Sequence, residues 1–93
     1  MPIKEIGKTL VRDLVVRTLT TVHKFATLMA TNEMFVYENG IYVGGGKAES
    51  IIKRATEKAL KLDYRVHDSN ETIGRIKVLT VVDNDFFEHG QQT

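Results

Sequence analysis

At 93 residues the chain has room for one small domain, with a marginal but sufficient core. Its 42% apolar and 27% charged content excludes wholesale disorder, and the lack of cysteine excludes disulfides and cysteine-based zinc or redox sites. The start, MPIKEIGKTLVRDL, has no continuous apolar run, and no window approaches the roughly 18 apolar residues of a membrane span, so a soluble, unsecreted, cytoplasmic protein with no membrane partner is expected.

The net charge of +1 is unevenly spread. Residues 1–46 carry +1, residues 47–77 carry +3 and residues 78–93 carry −3. Anion binding is expected to centre on the middle segment and to avoid the tail.

Along the chain, Ile3, Ile6, Leu10 and Leu14, with Val11 and Val15 alongside, predict an N-terminal helix. The β-branched run LVVRTLTTV predicts that the helix gives way to extended chain between Arg17 and Thr21. Asn39-Gly40 between FVY and YV is a type I′ hairpin signal, because both loop residues need positive φ. It sets Glu38 opposite Ile41, Tyr37 opposite Tyr42 and Val36 opposite Val43. Ala30 to Glu33 supply a second turn, making VHKFATLM a further antiparallel strand, with Leu28 opposite Phe35 and Met29 opposite Met34. Alternation then places Phe35, Tyr37, Tyr42 and Leu28 on one face, and Met34, Val36, Ile41, Val43 and Phe25 on the other.

The stretch Gly44-Gly45-Gly46-Lys47 invites comparison with a phosphate-binding loop. The G-x-x-x-x-G-K-[ST] pattern fails twice, at Ile41 and at Ala48, and the glycines are read as the end of a strand and a reversal into helix. Ala48, Ile51, Ile52, Ala55, Ala59 and Leu62 predict an amphipathic helix, with Glu49–Lys53 and Glu57–Lys61 as i,i+4 pairs. Residues 63–67 read as a connector. Asp68 with Glu71 has capping-box spacing, opening a short helix through Ile73, Ile76 and Leu79. Residues 80–82 read as extended, Asp83-Asn84-Asp85 as a turn or cap, and 88–93 as frayed.

The fold expected is α+β in one domain spanning 1–93: an N-terminal helix, a three-stranded antiparallel β-meander, then two helices packed on the sheet. Its core should cover about residues 3–82, with 83–93 a frayed tail.

Little in the sequence points to catalysis. His23, His67 and His89 lie in different elements without i+3 or i+4 His or Cys partners, and read as partly exposed polar residues. Asp83 and Asp85 begin like a calcium loop, but no Gly or terminal Glu follows at the required offsets. No nucleophile elbow is present. No catalytic residue, metal or cofactor is expected. The stronger pattern is a line of cations: at 100° per residue, Lys47, Arg54, Lys58 and Lys61 fall within a helical stripe about 60° wide, suited to a phosphate backbone. An ordinary solvated flank would look the same. Arg75 and Lys77 would extend the surface if the next helix lies alongside. Tyr37 and Tyr42 could stack bases, although a small sheet also uses such residues for packing.

The run HKFATLMATNEMFVYENGIYVGGGKAESIIKRATEKAL, followed by NETIGRIKVLTVVDNDFF, resembles the domain that precedes the superfamily-three helicase in phage, plasmid and viral primase-helicase proteins. The residues that carry the resemblance are Thr31 in a turn, Phe35 in an aromatic-rich strand, and Tyr37, Gly40 and Tyr42 in a Y-x-x-G-x-Y-like hairpin, then Ile76, Lys77, Thr80, Val82 and Asp83 in an I-K-x-x-T-x-V-D-like segment. It covers about residues 22–87. The resemblance implies an accessory role in DNA replication of a mobile element or virus, beside a helicase or primase domain. The chain has no Walker A, Walker B or arginine finger, so ATP hydrolysis is not expected here, whether the chain is an excised domain or a short relative. DNA binding through Lys47, Arg54, Lys58, Lys61, Arg75 and Lys77 is the leading expectation. The rival is a protein–protein module, in which the sheet's second apolar face mediates homo-oligomerisation or docks a helicase domain.

Overall fold

The computed structural model describes residues 2–83, with side chains from residue 7 onward. Helix α1 spans Pro2–Val22 and runs past the expected break at residues 17–21. The β-branched run stays helical because it is the part of α1 that reaches the core. Val15, Val16 and Leu19 are buried, and burying such side chains is worth about 1.5–3 kcal/mol each, against helix-propensity penalties below about 0.7. Thr20 and Thr21 donate their hydroxyls back to the carbonyls of Val16 and Arg17, both at 2.8 Å.

The buried seam of α1 differs from the expected stripe. Leu10 and Leu14 are 64% and 60% exposed, while Val15, Val16 and Leu19 face inward with Val11 half-buried. Lys8 and Arg12 share the inward side at helical spacing, where both meet the buried carboxylate of Asp68. That requirement explains why the helix is rotated away from Leu10 and Leu14. The side chains of Ile3 and Ile6 lie outside those described.

Strands β1 (Phe25–Leu28), β2 (Met34–Glu38) and β3 (Ile41–Val43) form two antiparallel pairs. The β2–β3 register is the one Asn39-Gly40 predicts, with φ of 52° and 89° in the loop. The β1–β2 register is shifted: Ala26 faces Phe35 and Thr27 faces Met34. The loop between them takes residues 29–32. Leu28 N–H donates to Glu33 at 2.9 Å, Asn32 N–H donates to Leu28 at 2.8 Å, and Asn32 adopts a φ of 60°. The shift is by two residues, so every side chain keeps its expected face.

A fourth strand corrects the predicted three-stranded meander. Strand β4 (Val81–Val82) pairs parallel to β1, Thr27 with Val81 and Leu28 with Val82, giving a mixed sheet of order β3-β2-β1-β4. The hydroxyls of Thr27 and Thr80 meet at 3.0 Å, and Thr27 N–H donates to Thr80 O at 3.0 Å. Val81 and Val82 are extended as expected, whereas Thr80 forms the turn that closes α3. Their parallel partner is distant in sequence and announces itself with no local turn.

Helix α2 (Lys47–Leu60) starts after Gly45 and Gly46, whose φ values of 69° and 85° suit glycine. Gly44 has another reason: a Cβ there would lie 2.7 Å from the Phe35 ring. After Leu60 a 3₁₀ turn covers Lys61–Asp63, and Leu62, expected on the apolar stripe, is fully exposed. Leu60 and the Thr56 side chain, which bonds to Ile52 O, are buried instead. Helix α3 (Val66–Leu79) begins before the expected cap. Asp68 sits in its first turn rather than at the cap, and accepts the Arg65 N–H at 2.8 Å.

The fold is therefore α+β, with three helices on one face of the sheet. Val15, Val16, Leu19, Phe25, Met34, Val36, Ala48, Ile52 and Ile76 form the core between the layers. The opposite sheet face carries Ala26, Leu28, Phe35, Tyr37 and Tyr42. Asn84, Asp85 and residues 88–93, read above as turn and frayed tail, lie outside the described residues, as does His89.

Candidate nucleic-acid interface

The six predicted cations do not form one surface. Lys47 pairs with Glu38 at 2.8 Å across the β3–α2 junction. Arg75 reaches over to Asp13 of α1, bonding its carboxylate. Lys77 is half-buried, with its ammonium 3.9 Å from Glu49 Oε2 on α2. Helix α3 does lie beside α2, yet Arg75 and Lys77 turn to carboxylates rather than extending the stripe.

Arg54 and Lys58 are different. Both are exposed and hold no ion pair among the described residues. They stand one turn apart on α2 and line a groove of about 300 Å³ with Leu19 and His23 at the end of α1, and Ile51 and Ala55 below them. The groove is thus an apolar floor walled by a guanidinium, an ammonium and an imidazole. Lys61 is exposed nearby in sequence, but its φ of 51° takes it off the regular helix. Neither expected i,i+4 ion pair forms among the described residues. Glu49 leans to Lys77, and Lys61 has left the helical phase that Glu57 would need.

His23 was not among the residues singled out for binding. It lies half-buried in the link between α1 and β1, its ring tilted against Phe25 at 5.7 Å. No motif spacing marks it, and only the meeting of α1 with α2 brings it to Arg54 and Lys58. His67 is exposed, 3.9 Å from Glu71. No group of three or more His, Asp or Glu among the described residues could hold a metal ion.

The two tyrosines meet as expected across β2 and β3, with rings edge-to-face at 5.1 Å. Tyr37 is 43% exposed, and the Lys24 ammonium sits 5.6 Å above its ring. Tyr42 is half-buried. Burial, then the neighbouring Tyr37, raises its phenol above the usual value. Lys24 is a second residue that motif reading missed, although counting back from Phe25 along the strand places it on the tyrosine face.

The cluster around Asp68 has a structural task. The carboxylate is 1% exposed and receives Arg12 at 2.6 Å, Lys8 at 2.9 Å and the Arg65 amide. Burial pushes the Asp68 carboxyl up, but the bonds from Lys8, the Arg65 amide and Arg12 outweigh it and hold the group below the usual carboxylate value. Compared with protein-family models, curated proteins and solved structures, the chain matches none. Among the described residues, no helix is long and apolar enough to cross a membrane.

Proposed function

We propose that the chain binds DNA through the outer flank of α2, as an accessory, non-catalytic domain of a replication protein of the primase-helicase kind. The observation that carries this reading is the convergence of Arg54, Lys58 and His23 on one groove, with Arg54 and Lys58 left outside the ion pairs that occupy Lys47, Arg75 and Lys77. Two cations one helical turn apart suit successive phosphates, and each phosphate neutralised releases counterions. The apolar floor of Leu19, Ile51 and Ala55 suits the sugar edge. The resemblance in the hairpin and in the Ile76 to Asp83 segment supports the replication context.

The test is fluorescence anisotropy of labelled single-stranded and duplex DNA titrated with the chain at low and near-physiological salt. Binding should weaken steeply with salt and again in the double variant Lys58→Glu, Lys61→Glu. No binding at low salt would remove this reading in favour of a protein-docking module. That rival has a specific observation behind it, the exposed Leu10 and Leu14 ridge on α1.

A further inference from the structure

The side of α3 turned away from the core carries a groove of about 380 Å³ whose described lining, Asn70, Glu71, Gly74, Arg75, Val78 and Leu79, belongs wholly to α3 and is exposed. Asn70, Gly74 and Val78 follow at intervals of about one turn, so the groove is a dent at Gly74 beside a knob at Val78, which is 75% exposed. Within the chain nothing calls for this glycine. It is not among the glycines with positive φ, and a Cβ there would meet nothing within 4 Å, yet glycine inside a helix lowers stability relative to alanine. Glu71 and Arg75 stand on one flank of the dent, an acid and a base one turn apart. Glu71 lies 3.9 Å from His67, and Arg75 bonds Asp13 through one nitrogen while keeping further N–H donors.

We propose that this face binds a second copy of the chain, the two α3 helices crossing antiparallel about a two-fold axis at Gly74. In such a pair each flank meets the same flank of the other copy in reverse order, which sets Glu71 against the partner's Arg75 twice over. The face is thus complementary to itself in charge, whereas the Arg54–Lys58 flank would repel its own copy. Val78 of each chain settles into the other's dent, and the glycine lets the two backbones approach closely. One helix crossing buries less than the roughly 800 Å² per partner of a standard interface, so the dimer is weak and concentration-dependent. The inference stands apart from the DNA-binding reading and is tested without DNA.

Sedimentation equilibrium of the full chain from about 10 µM to about 1 mM should fit a monomer–dimer equilibrium. Gly74→Gln fills the dent with a good helix former, and should weaken dimerisation about tenfold or more while the urea midpoint holds or rises. Glu71→Arg sets arginine against arginine and should weaken it about tenfold. The chain has no cysteine, so Gly74→Cys supplies a single thiol at the axis, and mild oxidation should link two copies, whereas Ser50→Cys on α2 should not. A chain that stays monomeric throughout this range would overturn the proposal. So would a dimer indifferent to Gly74→Gln and Glu71→Arg, or one abolished by Leu10→Gln with Leu14→Gln, which would place the interface on α1. A lowered urea midpoint in Gly74→Gln would show that the fold itself needs the glycine, and would count against it equally.

Discussion

The α1–α3 seam and the outer flank of α2 hold similar charges and use them in opposite ways. At the seam, Asp68 is buried with Lys8, Arg12 and the Arg65 amide around it, and Arg75 pairs with Asp13. On α2, Arg54 and Lys58 face solvent beside an apolar groove and pair with no acid among the described residues. The lesson is that a count of cations overstates a binding surface. What matters is how many remain after the fold has taken its share.

Substitutions can break this contrast at either end. The largest effect should come from Asp68→Ala, which leaves Lys8 and Arg12 facing each other at a site shielded from water. A loss of about 3–5 kcal/mol is expected, read from the urea unfolding midpoint. A loss below about 1 kcal/mol would mean that the seam is no more than a surface pair.

The same cluster predicts an acid dependence. The Asp68 carboxyl is held low in the fold and titrates near 3.9 when unfolded, so between those values the unfolded chain binds the extra proton. Its stabilisation is complete above about pH 4–5 and falls away as pH drops through the folded value. Urea midpoints measured down this range should decline for the wild type, and Asp68→Asn should flatten the decline.

Smaller effects belong to the α2 end. Gly46→Ala forces a side chain into a backbone at φ 85° and should cost about 1 kcal/mol, shown by a lower midpoint with the fold retained. Smallest of all, Arg54→Gln with Lys58→Gln should move stability by less than about 0.5 kcal/mol, because neither residue holds an ion pair among the described residues. That neutrality is what separates the flank from the seam.

How far the sequence foretold these regions depends on how local each signal is. Asn39-Gly40 fixed its hairpin correctly because a type I′ loop is written in two adjacent residues. The Thr31-Asn32 turn has no such constraint, and the β1–β2 register moved by two while its face pattern survived. The β1–β4 pair and the rotation of α1 depend on contacts between distant segments, Thr27 with Thr80 and Arg12 with Asp68, which no periodicity encodes. The candidate site follows the same rule. The phase of Arg54 and Lys58 was readable from helical spacing, whereas the acids that take Lys47, Arg75 and Lys77 lie on other elements. His23 joined the groove through the meeting of two helices.

The proposal that Arg54 and Lys58 hold DNA at the α2 groove is tested most directly by the salt dependence of binding. Affinity for a labelled single strand should be measured across a series of salt concentrations for wild type and for the variant Arg54→Gln, Lys58→Gln. The logarithmic salt slope should fall by roughly one for each removed cation, with the urea midpoint unchanged. An unchanged slope would contradict it, and would place whatever phosphate contacts exist elsewhere on the molecule.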